Sequence, residues 1–259
     1  MLPITLVKLF IFVFGASIGS FLNVCIYRLP AGKSIVTPPS ACPKCDYQIR
    51  FYDNVPVISY LLLRGQCRNC SAHIPIRYPM VEILTGLAAL AAYLKAGLTP
   101  EGGVLFVFIA ALIVVIFIDI DHQIIPDVIT LPGIVLCFLA AVFILDLGVV
   151  GALIGLLAGG GSLLLVASTY KALTGVDGMG GGDIKLLAMI GALTGWQGVF
   201  FTILTGSAAG TLVGGILMAF QKKNMKFAVP FGPFLSLGAI LYLFFGEEIF
   251  YWYLRTLGH

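Results

Sequence analysis

Long uncharged runs recur from one end of this chain to the other. Ile4 to Ile26 is interrupted by a single charge, Lys8, and further apolar stretches occupy residues 80–96, 103–120, 128–147, 149–170, 184–195, 198–220 and 230–250. Most approach the roughly 20 residues a helix needs to cross the hydrocarbon core of a bilayer, where every backbone polar group must be satisfied within the segment. The pattern predicts an all-α integral membrane protein of about eight transmembrane helices. Within the first run, Gly15 and Gly19 recur at a spacing that lets helices approach closely. A cleaved signal peptide is the alternative for that run, but its length, the lack of a leading basic cluster and the following Arg28 and Lys33 favour a span.

Residues 28–79 form the one extended polar stretch, with Arg28, Lys33, Lys44, Arg50, Arg64, Arg68 and Arg77 against Asp46 and Asp53. Cytoplasmic loops carry the excess of Lys and Arg, so this loop is expected inside. Alternating the spans from there also puts Lys171, Lys185, Lys222, Lys223 and Lys226 inside, leaving Lys8, Lys95 and Arg255 outside with Glu101, Asp146, Glu247 and Glu248. The expected organisation is a first transmembrane helix at 1–27, a cytoplasmic loop at 28–79 and a polytopic membrane domain at 80–259. Composition agrees: 59% of the 259 residues are hydrophobic and 10% charged, against roughly 25% charged in a soluble domain. A formal charge of +3 is too small to imply a nucleic-acid partner; the bilayer is the partner implied.

The polar loop holds Cys42-Pro-Lys-Cys45 and Cys67-Arg-Asn-Cys70, two CxxC knuckles separated by 21 residues. Two knuckles complete the tetrahedron of thiolates that zinc prefers, and a reducing cytoplasm argues against two disulfides. Four protein ligands leave no open coordination position, so the expected role is structural, a zinc-ribbon-like staple for a loop too short to build a large core. Cys25 and Cys137 lie in apolar runs and read as packing residues, and His73 reads as a surface residue.

Three acids, Asp119, Asp121 and Asp127, stand at the cytoplasmic end of the third span. Ionisable groups deep in a membrane cost about 2.5 kcal/mol or more, which makes them functional candidates. Asp121 and His122 are explained by a solvated interface, and Asp127, after Pro126, by the free N–H groups of a new helix. Asp119 is the first charge after the apolar run and the candidate to face the bundle interior. A second locus is Gly178-Met-Gly180-Gly181-Gly182-Asp183-Ile-Lys185. Its glycines permit close approach of a partner helix or substrate, while Asp183 has an alternative reading as a helix cap. Together Asp119 and Asp183 suggest hydrolysis by a carboxylate pair, in which one carboxyl keeps a proton and the other activates water. HExxH is absent, and no Ser-His-Asp set lies at one depth.

With these motifs the chain resembles the type IV prepilin peptidases, bifunctional leader peptidases and N-methyltransferases among the GxGD aspartyl proteases. The resemblance runs nearly the whole length through GASIGSFLNVCIYRLP at 15–30, DNVPVISYLLLRGQCRNC at 53–70, RYPMVE at 77–82, FIDIDHQIIPDVITLP at 117–132 and GMGGGDIKLLAMIGA at 178–192. It implies that Asp119, heading the D-x-D-x-x-x-x-x-[DN] segment, and Asp183, ending GxGD, are catalytic, with Gly180 and Gly182 the motif glycines. It also implies cleavage of short basic leaders from type IV prepilins or pseudopilin precursors at the cytoplasmic face of the bacterial inner membrane. A second implied activity is methyl transfer from S-adenosylmethionine to the new N-terminal amine. No Rossmann-type GxGxxG with its following acid occurs, so the cofactor contacts have no residue assignment.

Two other function classes stand beside this one. A membrane transporter or channel would use intramembrane acids and broken helices, for which Gly195 and Gly198 near the short sixth segment speak. Against it, both acid clusters fall at one face. A zinc-loop binding module on a membrane anchor would leave Asp119 unexplained.

Overall fold

A computed structural model describes residues 3–176, 178–221 and 230–256, and among these the regular structure is helical, with only the isolated bridges Ala41↔Gln48 and Gln66↔His73. The helices are α1 (Ile4–Arg28), α2 (Ile58–Leu62), α3 (Arg77–Ala96), α4 (Pro100–His122), α5 (Asp127–Phe143), α6 (Gly148–Thr174), α7 (Gly181–Gln221) and α8 (Gly232–Thr256), with a 3-10 turn at Phe51–Asp53. Setting aside the short α2, they fall on the apolar segments that hydropathy picks out. The expected sixth and seventh segments are the two helical limbs of α7, separated by a break at Gly195 (φ 71, ψ −177), where the backbone is not helical. Lys222, Lys223 and Lys226, which enter the charge argument for orientation, lie outside the described residues.

Five helices are long and apolar enough to cross a membrane: Ile4–Arg28, Arg77–Ala96, Pro100–His122, Gly148–Thr174 and Gly181–Leu217. Two more, Asp127–Phe143 and Gly232–Gly246, are apolar but shorter. At 17 residues, α5 spans about 25 Å, less than the roughly 30 Å of the hydrocarbon core. Length and composition thus support five spans directly, and the count of eight stays an expectation. Large apolar side chains such as Phe10, Phe14, Val107, Phe143, Leu165 and Phe200 point away from the protein interior. That surface suits lipid, and the chain is a multi-pass membrane protein.

The chain divides into two compact units, Met1–Val114 and Val115–His259. In the first, α1 packs on α3 where side chains are smallest. A Cβ on Gly15 would sit 2.9 Å from the carbonyl oxygen of Thr85, and one on Gly19 would sit 2.7 Å from Glu82 Cα. The contact is locked by a hydrogen bond from Asn23 Nδ2 to the carbonyl of Tyr78, at 3.0 Å. On the same helix the buried Glu82 accepts the backbone N–H of Val57 at 2.8 Å. Val57 has φ 62, a conformation rare for a β-branched residue, and this bond holds the turn that leads into α2.

The second unit is organised around α7, whose first limb packs on α6 and, through Met189 against Gly133, on α5, while its second limb packs on α8, where Thr202 and Thr205 meet Gly238. Every residue from Leu186 to Gly195 is buried, as expected of a helix that is apolar all round. The closest approach is to α6, where Gly155 and Gly159 bring backbone against backbone. A Cβ on Gly155 would run into the carbonyl oxygen of Gly191, and one on Gly159 into that of Leu187. Gly161, one turn from this seam, has nothing within 4 Å. Gly155→Ala should therefore destabilise the protein by about 1–3 kcal/mol through overpacking. Gly161→Ala should leave stability unchanged or slightly raised, because Ala is the better helix former. Thermal unfolding in detergent is the measurement, and equal behaviour of the two variants would contradict this seam.

Candidate active site and candidate metal centre

The carboxylate locus lies wholly in the second unit and is built from the ends of three helices. Towards its C-terminus α4 buries Val114, Val115, Phe117 and Ile118, and then Asp119, which is 5% exposed. The next residues, Ile120, Asp121 and His122, are exposed, which fits the solvated reading of Asp121 and His122. Gln123 (φ 55) turns the chain out of the helix, and a short link leads to α5. Burying a carboxylate demands partners. Asp119 Oδ2 accepts the backbone N–H of Gly232, the first residue of α8, at 3.0 Å.

Asp183 stands in the first turn of α7, which begins at Gly181. Its Oδ1 is buried and has no hydrogen-bond partner among the described residues. An orphaned oxygen of this kind is uncommon and asks for an explanation. Gly232, which donates to Asp119, and Gly182, next to Asp183, both border Ile125, so the two acids belong to one neighbourhood of the second unit. Of the motif glycines, Gly182 packs on the α4–α5 link, where a Cβ would lie 2.9 Å from Ile125 Cβ. Gly180 lies beside the acid, its would-be Cβ 4.0 Å from Asp183 Oδ2. Ile125 also reaches Gly232, so one side chain borders the backbone next to both acids.

Asp127 begins α5 and is the acid of its first turn, as its position after Pro126 predicts. Its carboxylate also takes Lys185 Nζ at 2.7 and 2.8 Å, tying the first turn of α7 to the start of α5. Both side chains are solvent-accessible, so the pair contributes little stability. Its effect is to fix the helix end that carries Asp183.

The four loop cysteines converge in the first unit. Their sulfurs all lie within 4.8 Å of one another, with Cys42 Sγ 3.8 Å from Cys70 Sγ and Cys45 Sγ 4.0 Å from Cys67 Sγ. Tetrahedral thiolates at 2.3 Å from a common ion would stand about 3.8 Å apart, so the set fits one metal ion. The two knuckles repeat one another. Cys42 and Cys67 donate their N–H groups to Tyr47 and Ala72, their carbonyls accept from Asp46 and Ser71, and those two residues have φ 54 and 56. Backbone N–H groups of Cys70 and Asn69 pull the Cys67 thiol down to about 7, and that of Tyr47 lowers Cys45. Those shifts favour thiolates, while at Cys70 the pull of the Ala72 N–H is outweighed by the neighbouring sulfurs, which push that thiol the other way, to about 11, so the four sulfurs share protons that a bound metal would displace. His73 is exposed, and Cys25 and Cys137 are buried, in line with their sequence readings. Around the cluster Arg68 makes a bidentate pair with Asp53, at 2.9 and 2.6 Å, and its guanidinium lies 5.6 Å from the Tyr52 ring centre.

Sequence reasoning left out Gly232, Ile125 and Glu82. The available signal for Gly232 was the Pro230-Phe231-Gly232-Pro233 segment, whose prolines mark a helix start. Nothing local marks Ile125 among so many isoleucines.

Residues 13–96 match the bacterial peptidase A24 N-terminal domain, and residues 106–216 match the type IV leader peptidase family. Among curated proteins the chain is similar to a prepilin leader peptidase/N-methyltransferase of Pseudomonas aeruginosa, 37% identical over 267 residues that cover 94% of this chain and 92% of the relative. It is similar also to proteins of the same description from Stutzerimonas stutzeri, 37% identical with 94% and 92% covered, and Aeromonas hydrophila, 35% identical with 95% and 93% covered. No solved structure matches it.

The cysteine geometry predicts that purified protein carries about one metal ion per chain. Elemental analysis should find that metal in the wild type and lose it in the Cys45→Ser/Cys67→Ser double variant. Equal metal content in both would show that these sulfurs are not the ligands.

Proposed function

The chain belongs to the type IV leader peptidase family, and on that basis we propose that it is a membrane aspartyl endopeptidase. Its substrates on this reading are type IV prepilins or pseudopilin precursors, from which it removes the short basic leader. The observation that carries the reading is the carboxylate locus: Asp119 buried at the end of an apolar helix, and Asp183 in the first turn of α7 with its Oδ1 buried, the backbone beside each bordered by Ile125. Two carboxylates so placed do not both ionise readily, and the pair holds one proton between them. As water attacks the scissile carbonyl carbon, the ionised member takes a proton from that water and the protonated member gives its own to the carbonyl oxygen. The tetrahedral diol then collapses: the carboxyl that took the water proton passes it to the leaving nitrogen as the C–N bond breaks, and the other, now ionised, takes a proton from a diol hydroxyl, which restores the pair. No covalent enzyme intermediate forms.

The relatives are named N-methyltransferases as well. On the strength of membership, this chain also transfers a methyl group from S-adenosylmethionine to the amine that cleavage exposes. The described residues form no sheet, so they contain no Rossmann-type site for that donor. Zinc is the occupant that suits the four-cysteine cluster, closed by protein ligands and therefore structural. The excess of basic residues in the loop at 28–79 supports a cytoplasmic position for that loop, and for both aspartates, in the bacterial inner membrane. No observation favours a transporter or channel.

The test uses membranes containing wild type, Asp119→Asn, Asp183→Asn and the control Asp121→Asn, mixed with a pilin-like precursor and S-adenosylmethionine and followed by mass spectrometry. Each of the first two variants should lose cleavage by a factor of about 10⁴ or more, and the control should keep it. Wild type should release the leader and add the mass of one methyl group. Cleavage by either dyad variant would remove the aspartyl mechanism.

A further inference from the structure

We infer that Gly232 is a positioning residue of the carboxylate site: its N–H orients Asp119, and its missing side chain keeps that carboxylate where it can work with Asp183. This rests on the aspartyl reading above and adds a residue that neither acid motif contains.

The argument begins at the start of α8. The carbonyl of Phe231 accepts from the N–H groups of Phe234 and Leu235, at 3.1 Å each, and so closes the first turn. Pro233 has no N–H to give. That leaves Gly232 as the donor at this helix end without an intrahelical partner. It spends that donor on Asp119 Oδ2, 113 residues away in sequence, at 3.0 Å and in a buried setting. Asp119 thus does from α4 what a cap residue does from its own chain. A bond from a helix-end amide to a carboxylate is charge-assisted, and stronger than one between neutral groups. The prolines on either side, Pro230 and Pro233, restrict the backbone that presents the donor.

The second observation is steric and independent of the bond. A Cβ on Gly232 would lie 2.6 Å from Asp119 Oδ2, 3.3 Å from its Cγ and 3.0 Å from Ile125 Cδ1. Ile125 itself rests against Gly182 on the side that carries Asp183. The side chain cannot give way easily, so the carboxylate must, and ordinary contact requires a shift of about 1 Å. A misplacement of that size at a reacting group costs on the order of 100-fold in rate.

Two measurements test this. Gly232→Ala should lower kcat for leader removal about 100-fold while KM stays within about two-fold. In uniformly 15N-labelled wild type the Gly232 amide proton should resonate downfield, and it should move upfield in Asp119→Asn, since a neutral amide is a weaker acceptor than a carboxylate. In Asp121→Asn it should stay. The resonance test needs no Gly232 variant to fold and reads the bond to residue 119 itself, while the split between kcat and KM separates a positioning role from a merely structural one. Wild-type turnover by Gly232→Ala, or a Gly232 resonance indifferent to Asp119→Asn, overturns the inference. If Asp119→Asn and Asp183→Asn are inert while Gly232→Ala cleaves normally, the inference alone fails; if either Asp variant cleaves, the aspartyl reading fails with it.

Discussion

The carbonyl oxygens of Leu187 and Gly191 rest directly against Gly159 and Gly155, and the second unit depends on that backbone-to-backbone contact. In a bilayer no hydrophobic force drives helices together, because lipid is as apolar as leucine; close packing and hydrogen bonds must do it. Small residues on both helices let α6 and α7 approach closely enough for dispersion to act along the whole seam. The first limb of α7 is buried from Leu186 to Gly195, with α5 packing on it at Met189. Asp183 stands one turn before this enclosed stretch, so its location follows from the packing of residues that take no part in chemistry. The Lys185–Asp127 pair then fixes the same helix end from the solvent side.

Two carboxylates in otherwise apolar helices are satisfied in one manner. Asp119 accepts the N–H of Gly232, and Glu82, within the other unit, accepts the N–H of Val57. In each case the donor is a backbone group of an element distant in sequence, at a place where regular hydrogen bonding is interrupted: a helix start in one, a strained turn in the other. The acid needs a donor and the backbone needs an acceptor, so each removes the other's burial penalty. This makes a buried acid a device for fixing a loop or helix end, whatever chemistry it also performs.

The polar loop meets a different constraint. It has few apolar side chains to bury, and Phe51, Ile58, Leu61 and Leu62 stay exposed. Its order comes instead from two repeated knuckles around four sulfurs, from Arg68 clamped on Asp53, and from Glu82 holding Val57. A metal ion at the sulfurs would join two turns that share no helix or sheet, the situation in which such a staple adds most to a small fold.

The sequence by itself determined the helical character of the chain, because apolar runs and the charges between them are local properties that set where a segment meets lipid or water. It also determined the cysteine set, since CxxC spacing already puts two sulfurs on one turn, and it nominated Asp119 as the first charge after an apolar run. Only the tertiary structure decided that the short segment after Asp183, which ends at the break at Gly195, is the buried centre of its unit. Hydropathy cannot tell a residue facing lipid from one facing another helix, because both surroundings are apolar. Nor could the sequence pair Asp119 with Gly232 or set Ile125 against both Gly232 and Gly182. Those contacts join residues far apart along the chain and exist only once close helix packing has fixed which ends meet.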